Sequence, residues 1–437
     1  MTAVLCLDVG STWTKGALVG PDGGLLGTAQ HPTTPPEVLT GITEVTTALA
    51  AEQAEVLACS SAGGGLRLAV VGQERLISAE AGYRVALSAG AKVVHVAAGR
   101  LGPAGLTELR AARPDVVLLV GGTDGGDTRV LLHNATELAS ARIGCPVVLA
   151  GNKVAQPDAL AALRSAGRTV VCTDNVLPDV GELAPGPARA AIRSVFLDHV
   201  IGGKGLSGGP RFRQLVRTVT PAAVLVGVAR LAALLAAGEA GAVLVVDVGG
   251  ATTDVYSAVS SAAEPETHAV ALPPDRRTVE GDIGMRWSAP GVVAEAEAER
   301  LLSGAELVSL RAAARFRADH VEFVPAGPIE STVDVRLAGL AAVLALRRHL
   351  RLVDGRLGPR GAGLLVLSGG VFRHANPAEL STVEDILRAD PVLRPVLRHA
   401  AVVVDTDYVL APAGLLAAAG RADSADALLH TQLVDRS

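Results

Sequence analysis

One short pattern occurs twice in this sequence, about 240 residues apart. The first copy runs from Val4 to Lys15 (VLCLDVGSTWTK) and the second from Val243 to Asp254 (VLVVDVGGATTD). Each copy has an apolar run, an aspartate, a turn of small and hydroxyl-bearing residues, and a returning segment. Apolar runs bounded by glycine-containing turns predict β-strands joined by a hairpin. Because a repeated unit that opens two halves of a chain indicates related domains, the sequence predicts two similar α/β domains.

The first copy has the chemistry of a phosphate-binding turn. A glycine turn exposes backbone N–H groups, which carry partial positive charge and attract phosphate oxygens. We expect nucleotide contacts from Gly10, Ser11, Thr12, Thr14 and Lys15. Asp8, at the end of the strand, would hold a hydrated Mg²⁺, an ion that keeps several waters and takes few protein ligands. An ordinary β-hairpin, in which glycine and serine only satisfy the turn geometry, is the competing interpretation.

The second copy repeats this design and strengthens the nucleotide interpretation. We expect Asp247 to face the metal or the attacking water, and Asp254 to fill a second metal position. Further nucleotide contacts are expected from Gly249, Gly250, Thr252 and Thr253. The predicted catalytic residues are Asp8 and Asp247, and the predicted metal ligands are Asp8, Asp247 and Asp254. Two such turns that face one another would clamp a triphosphate and its metal.

A third glycine motif follows the apolar run Leu364–Leu367. Ser368, Gly369 and Gly370 would let a base or ribose approach the backbone closely, because glycine has no side chain in the way. The same residues also fit the start of a helix, with Ser368 as its N-cap. The motif therefore supports a nucleotide site only in combination with the two hairpins.

The overall composition excludes several classes of protein. A net charge of -5 over 437 residues gives no basic field for nucleic acid. The four cysteines are Cys6, Cys59, Cys145 and Cys172, and they form no CxxC pair. This argues against a zinc site or an iron–sulfur cluster and favours a reducing compartment. No signal-peptide pattern is present at the N-terminus, and the apolar stretch Ala222–Ala237 is interrupted by Arg230. We therefore predict a cytoplasmic protein without a membrane span.

A series of strand–helix repeats lies between the two copies. The predicted strands are Lys92–Ala97, Asp115–Val120, Pro146–Ala150 and Arg168–Cys172. Four such repeats predict a Rossmann-like α/β domain inserted into the first domain. The predicted bounds are 1–88 for the first part of domain I, 89–180 for the insertion, 181–238 for the rest of domain I and 239–437 for domain II.

In this order and spacing, the three motifs resemble the phosphate-1, phosphate-2 and adenosine signatures of the actin/heat-shock-chaperone/sugar-kinase ATPase superfamily. Ala222–Ala237 and Tyr408–Gly420 resemble its two connecting helices. The resemblance implies two ribonuclease-H-like domains around a cleft that binds ATP and Mg²⁺. Ala222–Ala237 lacks a clear Asp or Glu that could position the attacking water. Asp247 would then have a larger part in positioning the attacking water, or hydrolysis would be slow.

Further stretches are similar to the glutamate mutase L family, over nearly the whole chain. They are Cys59–Arg67, Leu118–Asp127, His133–Ala135, Gly151–Lys153, Asp174–Pro178, Ile201–Ser207 and Arg277–Arg286. The resemblance implies a chaperone-like ATPase that reactivates adenosylcobalamin-dependent glutamate (methylaspartate) mutase. It would couple ATP binding and hydrolysis to the release of damaged cobalamin, with the mutase subunits as partners. The sequence does not decide the oligomeric state, and a homo-oligomer is one option.

Three alternative functions compete with reactivation. A small-molecule kinase would use the same clamp, but it needs an acid or base beside the γ-phosphate, and none is identified. A dehydratase-activating ATPase would need cysteines spaced for a cluster. A filament-forming or membrane-tethered protein usually carries a terminal amphipathic anchor, which the polar segment His430–Ser437 does not provide. Reactivation is favoured, and the kinase is the alternative.

Three smaller features leave two interpretations open. The glycine-rich Gly121–Asp127 would contact the cobalamin subunit of the mutase or act as a structural turn. Glu280 and Asp282 would contact the nucleotide or, as we favour, have a structural role. Arg311 and Arg315, spaced i and i+4 on a predicted helix, would stack near adenine or be solvated.

Overall fold

The computed structural model describes residues 2–61, 66–141, 143–196, 210–236, 242–259, 275–353, 357 and 361–436. These residues form two compact units. Unit 1 contains the described residues up to Leu225 except Asp22–Gly24, and unit 2 contains Asp22–Gly24 and the described residues from Val226 onwards. Ala62–Gly65 of one predicted motif, and the whole of Ile201–Ser207, lie outside the described residues.

Strands and helices alternate through most of the chain, which confirms the predicted α/β class. The strands are β1 Val4–Val9, β2 Trp13–Val19, β3 Leu25–Pro32, β4 Glu55–Ser60, β5 Arg67–Gly72, β6 Lys92–Ala98, β7 Val116–Leu119, β8 Val147–Leu149, β9 Val170–Cys172, β10 Val216–Val219, β11 Ala242–Val248, β12 Thr253–Ala258, β13 Asp275–Glu280, β14 Ala362–Ser368 and β15 Ala401–Val404. The helices are α1 Leu39–Ala48, α2 Ser78–Ser88, α3 Pro103–Ala111, α4 Arg129–Ser140, α5 Gln156–Ser165, α6 Pro185–Val195, α7 Pro210–Leu215, α8 Thr220–Ala236, α9 Ala289–Ala298, α10 Gly304–Asp319, α11 Pro328–Leu352, α12 Gly370–His374, α13 Pro377–Ala389, α14 Arg394–Leu397, α15 Leu410–Ala418 and α16 Ala422–Leu429, followed by a π-helix at His430–Val434.

The first sheet of unit 1 has the strand order β10-β4-β1-β2-β3. The strands β1, β2 and β3 form an antiparallel meander, and β4 runs parallel to both β1 and β10. In register across β2, β1, β4 and β10 lie Lys15, Asp8, Cys59 and Thr218. Since residues in register project to the same face of a sheet, these four side chains share one face.

The sheet of unit 2 has the order β13-β12-β11-β14-β15. Here too, a three-stranded antiparallel meander is followed by two strands parallel to its first strand. The row that corresponds to the one in unit 1 contains Asp254, Asp247 and Ser368. The two sheets therefore share one topology, as the repeated hairpin pattern predicts.

A third sheet, also in unit 1, is parallel throughout and has the order β6-β5-β7-β8-β9. This is the 2-1-3-4-5 order of a doubly wound sheet. The predicted number of four strands is wrong, because β5 (Arg67–Gly72) pairs with both β6 and β7. A short apolar run such as RLAVVG has no periodicity that separates strand from helix. The sheet thus begins before residue 89, and the predicted domain bounds stay a prediction.

Both faces of this third sheet are covered. Val70 and Leu118 face a core that is shared with the first sheet of unit 1. Val71 and Leu119 face a second core, formed with side chains of α3, α4 and α5. Parallel strands that are buried on both faces read as continuous apolar runs, which matches β5 and β7. This packing fixes the loops at the carboxyl ends of the strands.

The long helix α11 organises unit 2. Its residues from Leu337 to Leu346 are buried, and it packs against the sheet through the core of this unit. Two polar side chains of α11, those of Asp334 and His349, are buried as well. In the described part of the chain, no helix is long and apolar enough to cross a membrane.

Candidate functional site

The two repeated hairpins close with the same turn. In hairpin 1 (β1–β2), the Gly10 N–H donates to the carbonyl oxygen of Trp13 at 3.0 Å. In hairpin 2 (β11–β12), the Gly249 N–H donates to the carbonyl oxygen of Thr252 at 2.9 Å. A Cβ would lie 2.8 Å from that carbonyl oxygen at Gly10 and 3.0 Å from it at Gly249. The first contact is too close for a side chain and the second is tight, so both turns favour glycine at the same position.

The turn of hairpin 1 is braced from within unit 1. Thr33 donates from its N–H to the Thr12 carbonyl at 2.8 Å and from Oγ1 to the Gly10 carbonyl at 2.9 Å. The Ser11 hydroxyl donates to the carbonyl oxygen of Ser61 at 3.0 Å. Ser11 and Thr12 are themselves exposed to solvent. The turn is therefore ordered before a ligand arrives, which lowers the entropy lost on binding.

Two predicted nucleotide contacts, Thr14 and Thr253, occupy equivalent positions and are 0% exposed. Thr14 Oγ1 lies 3.1 Å from Thr33 Oγ1, and Thr253 Oγ1 donates to the carbonyl oxygen of Ile283 at 3.0 Å. These hydroxyls fasten each hairpin to its own unit. Ser11 and Thr12 are exposed, whereas Thr252 is half-buried and its hydroxyl donates to Asp254 Oδ2 at 3.4 Å.

Asp8 sits at the end of β1 among polar neighbours. Lys15 lies directly opposite it on β2. Asp8 Oδ1 accepts a hydrogen bond from Thr220 Oγ1 at 2.5 Å and lies 3.7 Å from the thiol of Cys59. Burial, and then the negative charge of Asp8, raises the pKa of Cys59 well above its ordinary value. The thiol therefore stays protonated and can act only as a weak donor.

In hairpin 2, Asp254 stands opposite Asp247, at the position that Lys15 holds in hairpin 1. Like charges directly opposite on a sheet destabilise it. Arg277 on β13 compensates, with its Nε 2.8 Å and its Nη2 2.5 Å from Asp254 Oδ1. Burial opposes the charge of Arg277, but its interactions with Asp254 and Tyr256 together outweigh burial, so the pKa of the guanidinium is raised. Asp254 is thus already held by a cation of its own unit.

A segment that follows β13 braces the turn of hairpin 2. The N–H groups of Met285 and Arg286 donate to the carbonyl oxygens of Gly249 and Gly250 at 2.9 and 2.7 Å. The ring of Trp287 covers Gly250, and a Cβ there would lie 3.2 Å from it. Trp287 is 50% exposed, while Trp13 in the other turn is 41% exposed. The two tryptophans of the chain thus stand one beside each turn.

The brace is anchored by a buried ion-pair cluster. Arg286 Nη2 donates to Asp334 Oδ2 at 2.9 Å, and Arg286 Nε donates to the carbonyl oxygen of Phe323 at 3.1 Å. Arg317, which is 1% exposed, pairs with the other oxygen of Asp334 and with Glu330. Removing one partner of such a cluster leaves buried charge without compensation.

The third glycine motif lies beside Asp247. Ser368, which is 6% exposed, is in register with Asp247 on the neighbouring strand. Gly369 has φ +117°, and a Cβ there would clash with the carbonyl oxygen of Val248. Gly369 is the N-cap of α12, so the competing prediction that Ser368 caps this helix is wrong. The exposed Gly370 follows at the surface.

An aromatic surface adjoins Gly370. The guanidinium of Arg373 lies over the ring of Tyr408, 4.8 Å from its centroid. The Tyr408 hydroxyl lies 4.0 Å from where a Cβ of Gly370 would stand.

A strand-end aspartate suits a magnesium ion that arrives with a nucleotide. Among the described residues, no group of three His, Cys, Asp or Glu side chains could hold a metal ion. Mg²⁺ in nucleotide sites needs only one or two carboxylates, because water and phosphate oxygens complete its shell. Asp8 and Asp247, each at the end of a central strand, have this chemistry. Asp254 is less suited to bind Mg²⁺, because Arg277 already pairs with its carboxylate.

The smaller sequence features have structural partners. Glu280 binds Arg348 at 2.6 Å, and Asp282 lies 3.8 Å from the same guanidinium. Arg311 pairs with Glu297 at the surface, 2.6 Å away, and Arg315 is exposed. These contacts support the structural interpretation for the acidic pair and the solvated interpretation for the two arginines.

The Gly121–Asp127 loop follows the carboxyl end of β7, and two buried asparagines hold it in place. Asn152 accepts from the Gly125 N–H at 3.2 Å and donates to the Gly126 carbonyl at 3.1 Å. Asn175 Nδ2 donates to the Gly122 carbonyl and to Asp124 Oδ1, both at 2.9 Å. The loop is therefore fixed in place, and whether it also contacts a partner stays a prediction.

Comparison with known proteins assigns the family. The model of the MutL protein family matches residues 4–433. Protein MutL of Clostridium tetanomorphum is 35% identical over 454 residues, which cover 95% of this chain and 96% of that protein. The chain belongs to the MutL family. The resemblance to the glutamate mutase L family that the sequence motifs indicated is thereby confirmed.

Solved structures resemble the MutL-family chain only distantly. Nucleotide-free acetone carboxylase is 13% identical with a TM-score of 0.39, covering 95% of this chain and 70% of that one. Component A of (R)-2-hydroxyglutaryl-CoA dehydratase from Acidaminococcus fermentans is 10% identical with a TM-score of 0.31, covering 98% and 100%. The PilM–PilN type IV pilus biogenesis complex is 15% identical with a TM-score of 0.32, covering 98% of each chain. These likenesses are too distant to assign a site.

Sequence reasoning missed two partners of the predicted aspartates in this MutL-family chain. Thr220 reaches Asp8, and Arg277 reaches Asp254. Thr220 precedes Pro221 and an apolar helix, which is a helix-start signal, but such a signal gives no tertiary contact. The role of Arg277 depends on the register of β12 and β13, which a single sequence does not reveal.

Proposed function

We propose that this MutL-family protein binds ATP with Mg²⁺ and hydrolyses it slowly to reactivate an adenosylcobalamin-dependent glutamate (methylaspartate) mutase. One observation carries the nucleotide part: two hairpins with the same glycine turn and the same strand-end aspartate stand in two sheets of one topology. The mutase part rests on the family resemblance. The client would exchange damaged cobalamin for fresh coenzyme in the course of the cycle.

In this proposal the turns bind phosphate. The backbone of the exposed Ser11 and Thr12 and of the half-buried Gly250 would donate N–H groups, and Lys15 would supply a positive charge. Asp8 and Asp247 hold the metal, and Asp247 also orients the attacking water. Bound Mg²⁺ neutralises the charge on the phosphate oxygens. Asp254 acts through its ion pair with Arg277 rather than as a direct ligand.

Slow hydrolysis follows from what stands at the start of α8. The segment Thr220–Val224 contains no carboxylate, so this helix brings no general base of its own to the water. Activation of the water then depends on Asp247. A slow ATPase suits a protein whose bound and hydrolysed states act on a partner, because the long-lived states give the partner time to respond.

We propose further that the third sheet meets the mutase through the loops at its carboxyl edge. Leu76, Val154 and Val180 follow β5, β8 and β9, and they are 82%, 63% and 70% exposed. Pro178 accepts a hydrogen bond from the Asp124 N–H at 3.0 Å, which ties the segment before Val180 to the Gly121–Asp127 loop. A contiguous apolar patch at this edge would be typical of a protein interface.

The test is ATP hydrolysis by the purified protein, with and without a glutamate mutase that has been inactivated by bound cyanocobalamin. Mutase activity is followed after fresh adenosylcobalamin is added. We expect ATP and Mg²⁺ to restore activity, and Asp247→Ala to abolish both hydrolysis and restoration. Asp385→Ala removes an exposed aspartate of α13 in the same unit and should leave both unchanged.

Each negative result has its own meaning. If ATP binds but the mutase stays inactive, reactivation is wrong, and a screen of small-molecule phosphate acceptors tests the kinase alternative. If neither ATP nor ADP binds in the presence of Mg²⁺, the nucleotide part of the proposal is wrong as well.

A further inference from the structure

The side chain of Thr220 reaches from the start of α8 to Asp8. Its Oγ1 donates to Asp8 Oδ1 at 2.5 Å. This is the distance range of a hydroxyl that donates to an ionised carboxylate, the stronger class of hydrogen bond. We infer that Thr220 is a positioning residue, which orients the Asp8 carboxylate for the metal of the bound nucleotide. The inference rests on the proposed function and adds a residue to its site.

The hydrogen bond gives the two carboxylate oxygens of Asp8 different roles. A carboxylate can rotate broadly about its last torsion unless something holds it. Oδ1 of Asp8 is engaged by Thr220, and the thiol of Cys59 lies 3.7 Å away on the same side. A thiol is a weak donor, so Thr220 supplies most of the hold. With Oδ1 held by Thr220, Oδ2 would accept a hydrogen bond from water on the metal.

Thr220 can do this because its own position is fixed. It follows β10, which pairs in parallel with β4, next to β1. Val219 and Ala222 on either side are 4% and 7% exposed. The backbone of Gly90 packs against both, and a Cβ there would lie within 3.0 Å of each. The hydroxyl therefore needs little reorganisation to meet the carboxylate.

Thr218, two residues earlier, provides a matched comparison. It is 5% exposed, and within the described part of the chain its Oγ1 has no hydrogen-bond partner. Replacing either threonine by valine exchanges a hydroxyl for a methyl group at nearly constant volume. At Thr220 the change removes the bond to Asp8. At Thr218 it removes a hydroxyl that bonds to nothing, which costs little or stabilises.

The experiment measures ATP hydrolysis by the full chain against Mg²⁺ concentration for Thr220→Val, Thr220→Ser and Thr218→Val. We expect Thr220→Val to raise the Mg²⁺ concentration for half-maximal rate about tenfold, the loss expected for one hydrogen bond to a charged group. Thr220→Ser keeps the hydroxyl and should restore most of the wild-type value. Thr218→Val should not shift it. Mg²⁺-dependent binding of ADP, followed by the combined fluorescence of Trp13 and Trp287, should give the same order without turnover.

Two results would overturn the inference: a Thr220→Val curve that coincides with the wild type, or a Thr218→Val curve that shifts equally. Thermal unfolding shows whether each variant is folded, and Thr220→Ala replaces Thr220→Val if that variant is not. If the wild type itself shows no Mg²⁺-dependent response to nucleotide, the proposed function fails and the inference falls with it. A wild-type response that the Thr220 variants leave unchanged refutes the inference alone.

Discussion

The imidazole of His349 gives unit 2 a stability that depends on pH. This side chain of α11 is 0% exposed. Its Nδ1 lies 3.0 Å from Thr278 Oγ1 and its Nε2 lies 2.8 Å from Ser257 Oγ. Burial, with a smaller contribution from the positive charge of Arg276, lowers the pKa of His349 to about 3. The folded unit therefore holds this histidine neutral.

The sign and size of the effect follow from proton linkage. In the unfolded chain a histidine has a pKa of about 6.5. Below that pH, His349 binds a proton in the unfolded state but not in the folded state. The contribution of His349 is thus complete above pH 6.5 and is lost as the pH falls from 6.5 toward 3, by about 1.4 kcal/mol per pH unit. Between pH 7 and pH 5 we expect a loss of about 2 kcal/mol in the free energy of unfolding.

Urea unfolding followed by fluorescence measures this loss. In a Trp13→Phe background, Trp287 is the sole tryptophan and reports on unit 2. His349→Gln keeps a polar group for Ser257 and Thr278 but does not titrate. We expect the parent to lose about 2 kcal/mol more than His349→Gln between pH 7 and pH 5. His399→Gln removes a solvent-exposed histidine and should behave like the parent.

The reasoning is refuted if the parent and His349→Gln lose the same free energy over this pH range. It is equally refuted if His399→Gln removes the pH dependence, because the titrating group would then lie at the surface.

Three further predictions concern single residues. Asp334→Ala leaves the buried guanidinium of Arg317 and the half-buried guanidinium of Arg286 without their shared carboxylate, and urea unfolding should show a loss of about 3–5 kcal/mol in unit 2. Gly369→Ala forces a side chain into a left-handed backbone and should cost about 1–3 kcal/mol or more, whereas Gly370→Ala at the surface should cost less by the same measurement. Partial burial raises the pKa of Cys172, but the residue is exposed and should react with a disulfide reagent at pH 8 in the folded protein, while the buried Cys59, whose pKa is raised further, should react only after unfolding in urea.

The hairpins could be predicted from the sequence because all their signals are local. An apolar run, an aspartate and a glycine turn lie within about twelve residues, and the turn geometry follows from glycine itself. Asp8 and Asp247 therefore lie where the sequence places them, at the ends of β1 and β11. The common topology of the two sheets follows from the repetition of that unit.

Contacts between distant segments could not be predicted in this way. Thr14 and Thr253 have the same local pattern as the exposed hydroxyls, and only the packing beneath each hairpin buries them. Thr220 is remote from Asp8 in sequence and becomes its neighbour only because β10 joins the sheet beside β4. The strand β10 itself is too short to give a periodic signal.

The pairing of Asp254 with Arg277 bears on how the two hairpins diverged. If both descend from one ancestral hairpin, the position opposite the strand-end aspartate became lysine in one copy and aspartate in the other. An aspartate there, without a basic residue on the third strand, would leave two carboxylates side by side. The change at position 254 is therefore tolerated only once position 277 is basic. Among relatives of this chain, these two positions should vary together, and an uncharged residue at 277 should coincide with the loss of the acid at 254.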